Sequence, residues 1–233
     1  MKLIIIGGAP SVGKTSVLIH TIKHLKKWKK TTHVIKLDSL VANDEERYKK
    51  YKIKCIIGLS TYVCPDHYLA SNLERISQYG INKKLDFLIV ESAGLCNRCS
   101  PHLHNNLAVT VLDMLSGMSA PQKAGPLLKS ADIVVLTRGD LISQAEREVF
   151  RLQIVRLNRK AKILEINGLT GQGSNLLGSL FTQATDFDKS TPLYLKYRMP
   201  GAVCSFCLGE KRVGESFASG NVKLLDLPGI KNK

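Results

Sequence analysis

The chain has 233 residues, 44% of them hydrophobic and 23% charged, a balance that excludes a disordered polymer and suits one α/β core. Lys and Arg number 34 against 19 Asp and Glu, a formal net charge of +15, which invites an acidic protein, nucleic acid or a membrane surface as partner. Aromatic residues are only 6% of the chain and do not interleave with the basic ones. No base-stacking platform is visible, so nucleic acid is the weaker candidate beside an acidic client protein.

Residues 2–6, Lys-Leu-Ile-Ile-Ile, begin with a basic residue and an apolar run. The run ends after four residues and enters a glycine-rich loop, so it reads as a first strand and not as a leader peptide. No apolar stretch approaches the length of a bilayer span, and the protein is expected in the cytosol. A helix follows from Lys14 to Lys27, with the basic cluster Lys23–Lys30 and Trp28 at its exposed end. His33–Leu37 reads as a second strand ending at Asp38, and Ile53–Ile57 as a short third. Tyr68–Tyr79 has the pattern of a helix, and Leu85–Val90 is a nearly continuous apolar run, the mark of a central buried strand. Ile133–Leu136 and Ile163–Ile166 repeat that pattern, with a helix from Ser143 to Asn158 between them. The alternation predicts a mostly parallel sheet flanked by helices, a P-loop NTPase fold over residues 1–188. From about Lys189 prolines, glycines and cysteines replace this rhythm, so residues 189–233 are expected to form a small appendage that a metal pins together.

Gly8-Ala9-Pro10-Ser11-Val12-Gly13-Lys14-Thr15 fits G-x-x-x-x-G-K-[ST] at every required position, between a strand and a helix. Glycine lets the backbone N–H groups turn toward phosphates, and the helix that starts there adds its positive end. Lys14 is expected to reach the β- and γ-phosphates and the Thr15 hydroxyl to ligate Mg2+, with Ser16 beside it. Asp38 closes the second strand, and Asp44, Glu45 and Glu46 follow in an acidic loop or the start of a helix. Either group could hold the magnesium or orient the attacking water. Glu91-Ser92-Ala93-Gly94 ends the central strand, where a carboxylate and a mobile glycine can sense the γ-phosphate. Thr137-Arg138-Gly139-Asp140 follows another buried strand and is a degenerate form of Asn-Lys-x-Asp. In that pattern the aspartate accepts from the guanine N1 and N2 hydrogens and a long stem packs on the ring. Asn167-Gly168-Leu169 follows the last strand and is expected to cover the base.

Four of the six cysteines form two Cys-x-x-Cys pairs, a spacing that lets two thiolates grip one ion, as in zinc knuckles and iron–sulfur loops. Cys96 and Cys99 follow the switch glycine, with His102 and His104 close behind; Cys204 and Cys207 lie in the appendage. Together the pairs would make a four-thiolate site for zinc or an iron–sulfur cluster, within one chain or across a dimer. Another layout joins Cys64, Cys96 or Cys99 and a histidine at a dimer interface. Cys64 reads as a ligand, whereas Cys55, on an apolar strand, reads as core.

In the order of these motifs, residues 1–185 resemble the HypB and UreG nickel-insertion proteins, SIMIBI-class P-loop GTPases of the metallochaperone type. Val34–Asp38 with Asn43–Arg47 is similar to the HypB switch region, Gly58–Cys64 to its metal-binding loop, Glu91–Gly94 to its Glu-x-x-Gly. Lys123–Pro126 through Ala131-Asp132 and Asp140-Leu141 follow the family's run into the guanine-reading loop. The resemblance implies GTP hydrolysis that drives metal delivery to a client metalloenzyme through nucleotide-dependent dimerisation. It departs from HypB at Pro65, where that family has a histidine, with His67 nearby, and in having no histidine-rich tail. Ala9 stands where ATP-dependent relatives of the nitrogenase iron-protein type carry a second lysine. The alternatives are a nucleotide-switched redox or metal sensor, and a small-molecule kinase using the same loop with Asp38 as base.

Overall fold

The structure, a computed structural model, describes residues 1–40, 44–63, 65–92, 102–197, 210–218, 220 and 222–230. The expected alternation appears as seven parallel strands and seven helices. In chain order they are β1 (Lys2–Gly7), α1 (Lys14–Lys27), β2 (Thr32–Asp38), α2 (Asp44–Lys50), β3 (Lys54–Leu59), α3 (Pro65–Asn82) and β4 (Phe87–Ser92). Then come β5 (Leu107–Asp113), α4 (Ala120–Lys123), α5 (Gly125–Ser130), β6 (Ile133–Thr137), α6 (Gln144–Leu157), β7 (Lys162–Glu165) and α7 (Ser174–Thr182). The sheet order is β3-β2-β4-β1-β5-β6-β7. The chain builds one half of the sheet outward from β1 and returns to build the other, so the carboxyl end of β1 lies where the winding reverses. Open α/β sheets bind ligands at such a point.

Period-two alternation along the buried strands separates the two faces. Ile4, Ile6, Val34, Ile89, Val109 and Val111 pack against α1 and α7, while Leu3, Ile5, Ile35, Leu37, Leu88 and Val90 pack against α3. Leu112, Val134 and Leu136 continue the second face under α6 through Phe150 and Ile154. Leu107–Asp113, unassigned from sequence like the helices α4, α5 and α7, is β5, the immediate neighbour of β1. The acidic triplet Asp44-Glu45-Glu46, which the sequence left open between a loop and a helix start, is the first turn of α2, where carboxylates favour the helix's positive end.

The described residues beyond Lys189 include several that pack on this same core. Leu195, Val213, Leu225 and Leu227 are buried with α3 and the second sheet face. Asn72, fully buried on α3, imitates a peptide group toward the tail: its Nδ2 donates to the Lys223 carbonyl at 2.7 Å, and its Oδ1 accepts from the Leu225 N–H at 2.7 Å. Lys223 in turn donates to the Leu59 carbonyl at 2.7 Å and to Thr61 Oγ1 at 3.0 Å, fastening the end of β3. A separate Cys-containing unit is therefore not what the described part of the tail forms. Replacing Asn72 with alanine strands the Leu225 donor and the Lys223 acceptor and is expected to cost about 1–3 kcal/mol. Denaturant melts check the size of the effect. An unchanged midpoint would mean that another contact holds the tail.

Candidate nucleotide site

The loop after β1 wraps a cavity of about 420 Å³ whose wall includes Pro10, Ser11, Gly13, Lys14, Thr15, Ser16, Lys36, Asp38, Asp44, Arg47, Glu91 and Arg138. The size suits the phosphates of a nucleotide and an ion. Gly8 has φ +150°, and a Cβ there would stand 2.5 Å from the Val111 carbonyl oxygen of β5. Gly13 caps α1 in the left-handed region at φ 94°. Both positions need glycine for the loop to close. Ala9 and Val12 rest on the core below, so the loop is held from beneath.

Lys14 folds back over the loop and donates to the carbonyls of Gly8 (2.8 Å) and Ala9 (2.7 Å). Burial lowers its pKa to about 8, against the opposing pull of Glu91. Thr15 Oγ1 donates to Glu91 Oε1 at 2.8 Å. Glu91, 1% exposed, also accepts from Lys36 Nζ at 2.9 Å and from the Tyr48 hydroxyl, at Oε2, at 2.7 Å. Burial, then the Glu91 charge, push the Tyr48 phenol well above its ordinary pKa, so it remains a donor. Lys36 further pairs with Asp44 at 2.8 Å and lies 4.0 Å from Asp38. Arg47 bridges Asp44 (2.8 Å) and Ser16 Oγ (2.7 Å), joining α2 to the first turn of α1. Lys36, Arg47 and Tyr48 were not singled out from sequence. A lysine in an otherwise apolar strand, two residues before Asp38, is the signal that could have found the first of them.

Around the other side, Thr137 Oγ1 donates to the Val12 carbonyl at 2.7 Å, stapling the end of β6 to the loop. Arg138, at φ 58°, pairs with Asp113 and donates to the Ser11 carbonyl at 2.9 Å, so its guanidinium lies over the phosphate cavity. Asp140 and Asn167 line one neighbouring cavity of about 450 Å³ between β6, β7 and α6. Gly168 comes over Ser16, where its Cβ would be 3.3 Å from that of Ser16. Leu169 is 90% exposed at the rim. The loops after β6 and β7 thus both approach the start of α1.

The thiol expectations fall mostly elsewhere. Cys64, Cys96, Cys99, Cys204 and Cys207, like Asn43, Ala93 and Gly94, lie outside the described residues. Cys55 is partly buried against the α1 face, and burial pushes its thiol up to about 12, which fits the core role expected. His102 is buried with Nδ1 2.6 Å from Ser130 Oγ, and burial lowers its pKa to about 3. Among the described residues no three His, Cys, Asp or Glu side chains are grouped to hold a metal ion by themselves. Among them, too, no helix is long and apolar enough to cross a membrane.

The model of the CobW/HypB/UreG nucleotide-binding domain matches residues 2–165, which carry the loop, Asp38, Glu91 and Asp140. The chain belongs to that family. It is a SIMIBI-class P-loop GTPase. It is 43% identical over 226 residues to the uncharacterized protein MJ0120 of Methanocaldococcus jannaschii, covering 97% of each chain. Two solved structures share the fold. The hydrogenase maturation factor HypB of Archaeoglobus fulgidus aligns with a TM-score of 0.63 and 22% identity, over 78% of this chain and 89% of its own. HypB of Helicobacter pylori, in complex with nickel, aligns with a TM-score of 0.63 and 15% identity, over 81% and 91%.

As a CobW/HypB/UreG member the chain can be tested at its loop lysine. Unfolded Lys14 holds its proton to about 10.5 and the folded group only to about 8. Between those values the unfolded chain binds more protons, so this group's contribution to stability rises with pH across that window. A phosphate bound at Lys14 restores the proton. GDP·Mg binding is therefore expected to take up a proton at roughly pH 9 and none at roughly pH 6.5. Calorimetry in buffers of different ionisation enthalpy reads the uptake, and a value unchanged across that range would remove Lys14 from phosphate contact.

Proposed function

We propose that this GTPase loads a transition metal or metallocofactor into a client enzyme, and that its cysteines form one four-thiolate site within a single chain. The observation that carries the second statement is a small antiparallel ribbon. Leu103 bridges Leu195, and Tyr194 bridges Arg212; the Lys196 N–H donates to the His102 carbonyl at 2.8 Å, and the Leu195 N–H to the Lys211 carbonyl at 2.9 Å. His102 stands three positions after Cys99, Lys196 eight before Cys204, and Lys211 four after Cys207. Both Cys-x-x-Cys pairs are therefore joined to the ribbon by short stretches of chain, three residues from Cys99 and four from Cys207. Such tethers favour a site shared by both pairs in the same chain over one built across a dimer. Thiolates suit zinc, nickel or an iron–sulfur cluster.

The path of the chain supports gating by nucleotide. The segment with Cys96 and Cys99 leaves β4 at Ser92, next to Glu91, and ends at the ribbon. A change at the γ-phosphate would thus pull on one end of the segment that bears the ligands. Lys14 and the loop amides would hold the triphosphate, and Thr15 with Asp38 or Glu91 the magnesium, whose fit is supported by oxygen donors already gathered around a cation, Lys36. Magnesium neutralises charge on the phosphates. Asp38 or Glu91 would orient the attacking water. Asp140 would accept from guanine, with Thr137, Arg138, Asn167, Gly168 and Leu169 framing the base. With no acceptor but water, turnover by the protein alone should be slow. The +15 charge suits an acidic client, and two copies could meet over GTP as a nucleotide-dependent dimer.

Metal analysis of anaerobically purified protein tests the reading. Monomeric wild type is expected to carry one ion or cluster per chain. The Cys96→Ala/Cys99→Ala variant should lose it while keeping GDP affinity and failing to activate the client. Metal bound only by dimers, at half an ion per chain, would sink the single-chain site. No thiolate-bound metal at all, with no preference for GTP over ATP, would sink the function.

A further inference from the structure

We propose that Lys36 is a resident cation at the magnesium position: its ammonium holds the oxygens of Thr15, Glu91 and Asp44 together in the nucleotide-free protein, and it surrenders those of Thr15 and Glu91 while keeping Asp44 when Mg·nucleotide binds. The inference rests on the reading of the loop as a magnesium–nucleotide site. It goes beyond that reading by giving the vacant state of the site its own charge balance and its own way of opening.

Lys36 is 5% exposed on β2, in register with Glu91 of β4. The two face the α1 side of the sheet, one step beyond the apolar row of Val34 and Ile89. Its Nζ lies 2.9 Å from Glu91 Oε1, 2.8 Å from Asp44 Oδ2, 3.5 Å from Thr15 Oγ1 and 4.0 Å from Asp38 Oδ2. Thr15 Oγ1 is the oxygen that the P-loop gives to magnesium; here its hydrogen goes to Glu91 and the Lys36 ammonium stands on its lone-pair side at 3.5 Å. The charges facing the cluster from neighbouring elements are Lys14 on α1, Asp38 on β2, Asp44 and Arg47 on α2, Glu91 on β4, and Arg138 after β6, the last matched by its own partner Asp113. Apart from that matched pair, three carboxylates meet three cations. A divalent ion added to that balanced set would stand within a few ångströms of the Lys36 ammonium and compete for the same oxygens.

Two consequences follow. Magnesium enters with the phosphates, whose negative charge compensates the extra cation, and not ahead of them. Lys36 then withdraws from Glu91 while keeping Asp44, which is carried on α2 and tied through Arg47 to Ser16 on α1. The metal's arrival is thereby transmitted to α2. Its departure returns Lys36 to Glu91, a built-in competitor that speeds release of the spent nucleotide.

Mn2+ binding followed by electron paramagnetic resonance tests the proposal, since manganese prefers oxygen ligands and thiolate pairs take it poorly. Nucleotide-free wild type should bind no Mn2+ at concentrations that saturate its GDP complex. Lys36→Met, which removes the cation and keeps the stem, should gain Mn2+ affinity by roughly tenfold or more without nucleotide. Lys36→Arg should behave as wild type. Equal Mn2+ affinity in folded Lys36→Met and wild type overturns the proposal. Should Lys36→Met fail to fold, the wild-type arm decides: a stoichiometric Mn2+ site in the nucleotide-free protein overturns it, and its absence beside a saturable GDP·Mn2+ complex upholds it. If wild type binds no GDP, the nucleotide reading itself has failed, a result distinct from either outcome for Lys36.

Discussion

The constraint on which the rest of the structure depends is a carboxylate set inside a hydrophobic sheet. Glu91 ends β4 at 1% exposure, and an isolated ionised carboxylate there would cost several kcal/mol. The sheet answers with Lys36 on the adjacent strand, α1 with the Thr15 hydroxyl, and α2 with the Tyr48 phenol. Each partner comes from a different element, so satisfying one side chain fixes how those elements sit against one another. A buried ion pair adds little to net stability, but breaking one side of it is strongly unfavourable. Its effect here is to set geometry: β2, β4, α1 and α2 converge on one point at the carboxyl edge, beside the phosphate loop.

Much of that edge was legible in the sequence because it is written in local rules. The loop is a contiguous pattern with fixed offsets, and the strands that precede Asp38, Glu91 and Thr137 are apolar runs of the kind a buried parallel strand requires. Helix α1 spans the residues expected of it, Lys14 to Lys27. What escaped was whatever depended on which strands are neighbours. Lys36 interrupts an apolar strand, and nothing local says that it will stand opposite Glu91. Strand β5 carries no functional motif, yet its Val111 carbonyl is the wall that forbids a side chain at Gly8. Asp113, at the end of that strand, holds Arg138, a partnership 25 residues apart that periodicity cannot reveal.

The tail illustrates the opposite difficulty. Prolines, glycines and a Cys-x-x-Cys pair break the helix–strand rhythm, and a change of rhythm reads as a boundary between units. In space, Leu195, Val213, Leu225 and Leu227 complete the second face of the same sheet. The signal that distinguishes the two is weak in sequence, because isolated leucines in an irregular segment have no period. Asn72 supplies what the irregular backbone lacks: a buried amide that pairs with main-chain groups 151 and 153 positions away. An irregular segment can be part of a core when another element satisfies its peptide groups.

These two observations bear on one another. The tail is tied at one end to the ribbon with His102–His104, and at the other to α3 and the end of β3 through Lys223. The ends of three strands, β2, β3 and β4, therefore lead into segments held by the cation cluster or by the tail. If phosphate and magnesium rearrange the oxygens around Glu91, the strain has few places to relax: β4 is buried on both faces, and Lys36 is bonded forward to α2. Such a change is passed to the elements that supply the cluster's partners, α1 through Thr15 and α2 through Asp44 and Tyr48. A sheet whose polar edge is this tightly compensated converts a change of charge into a change at those helices. That is the physical property a nucleotide-timed carrier needs.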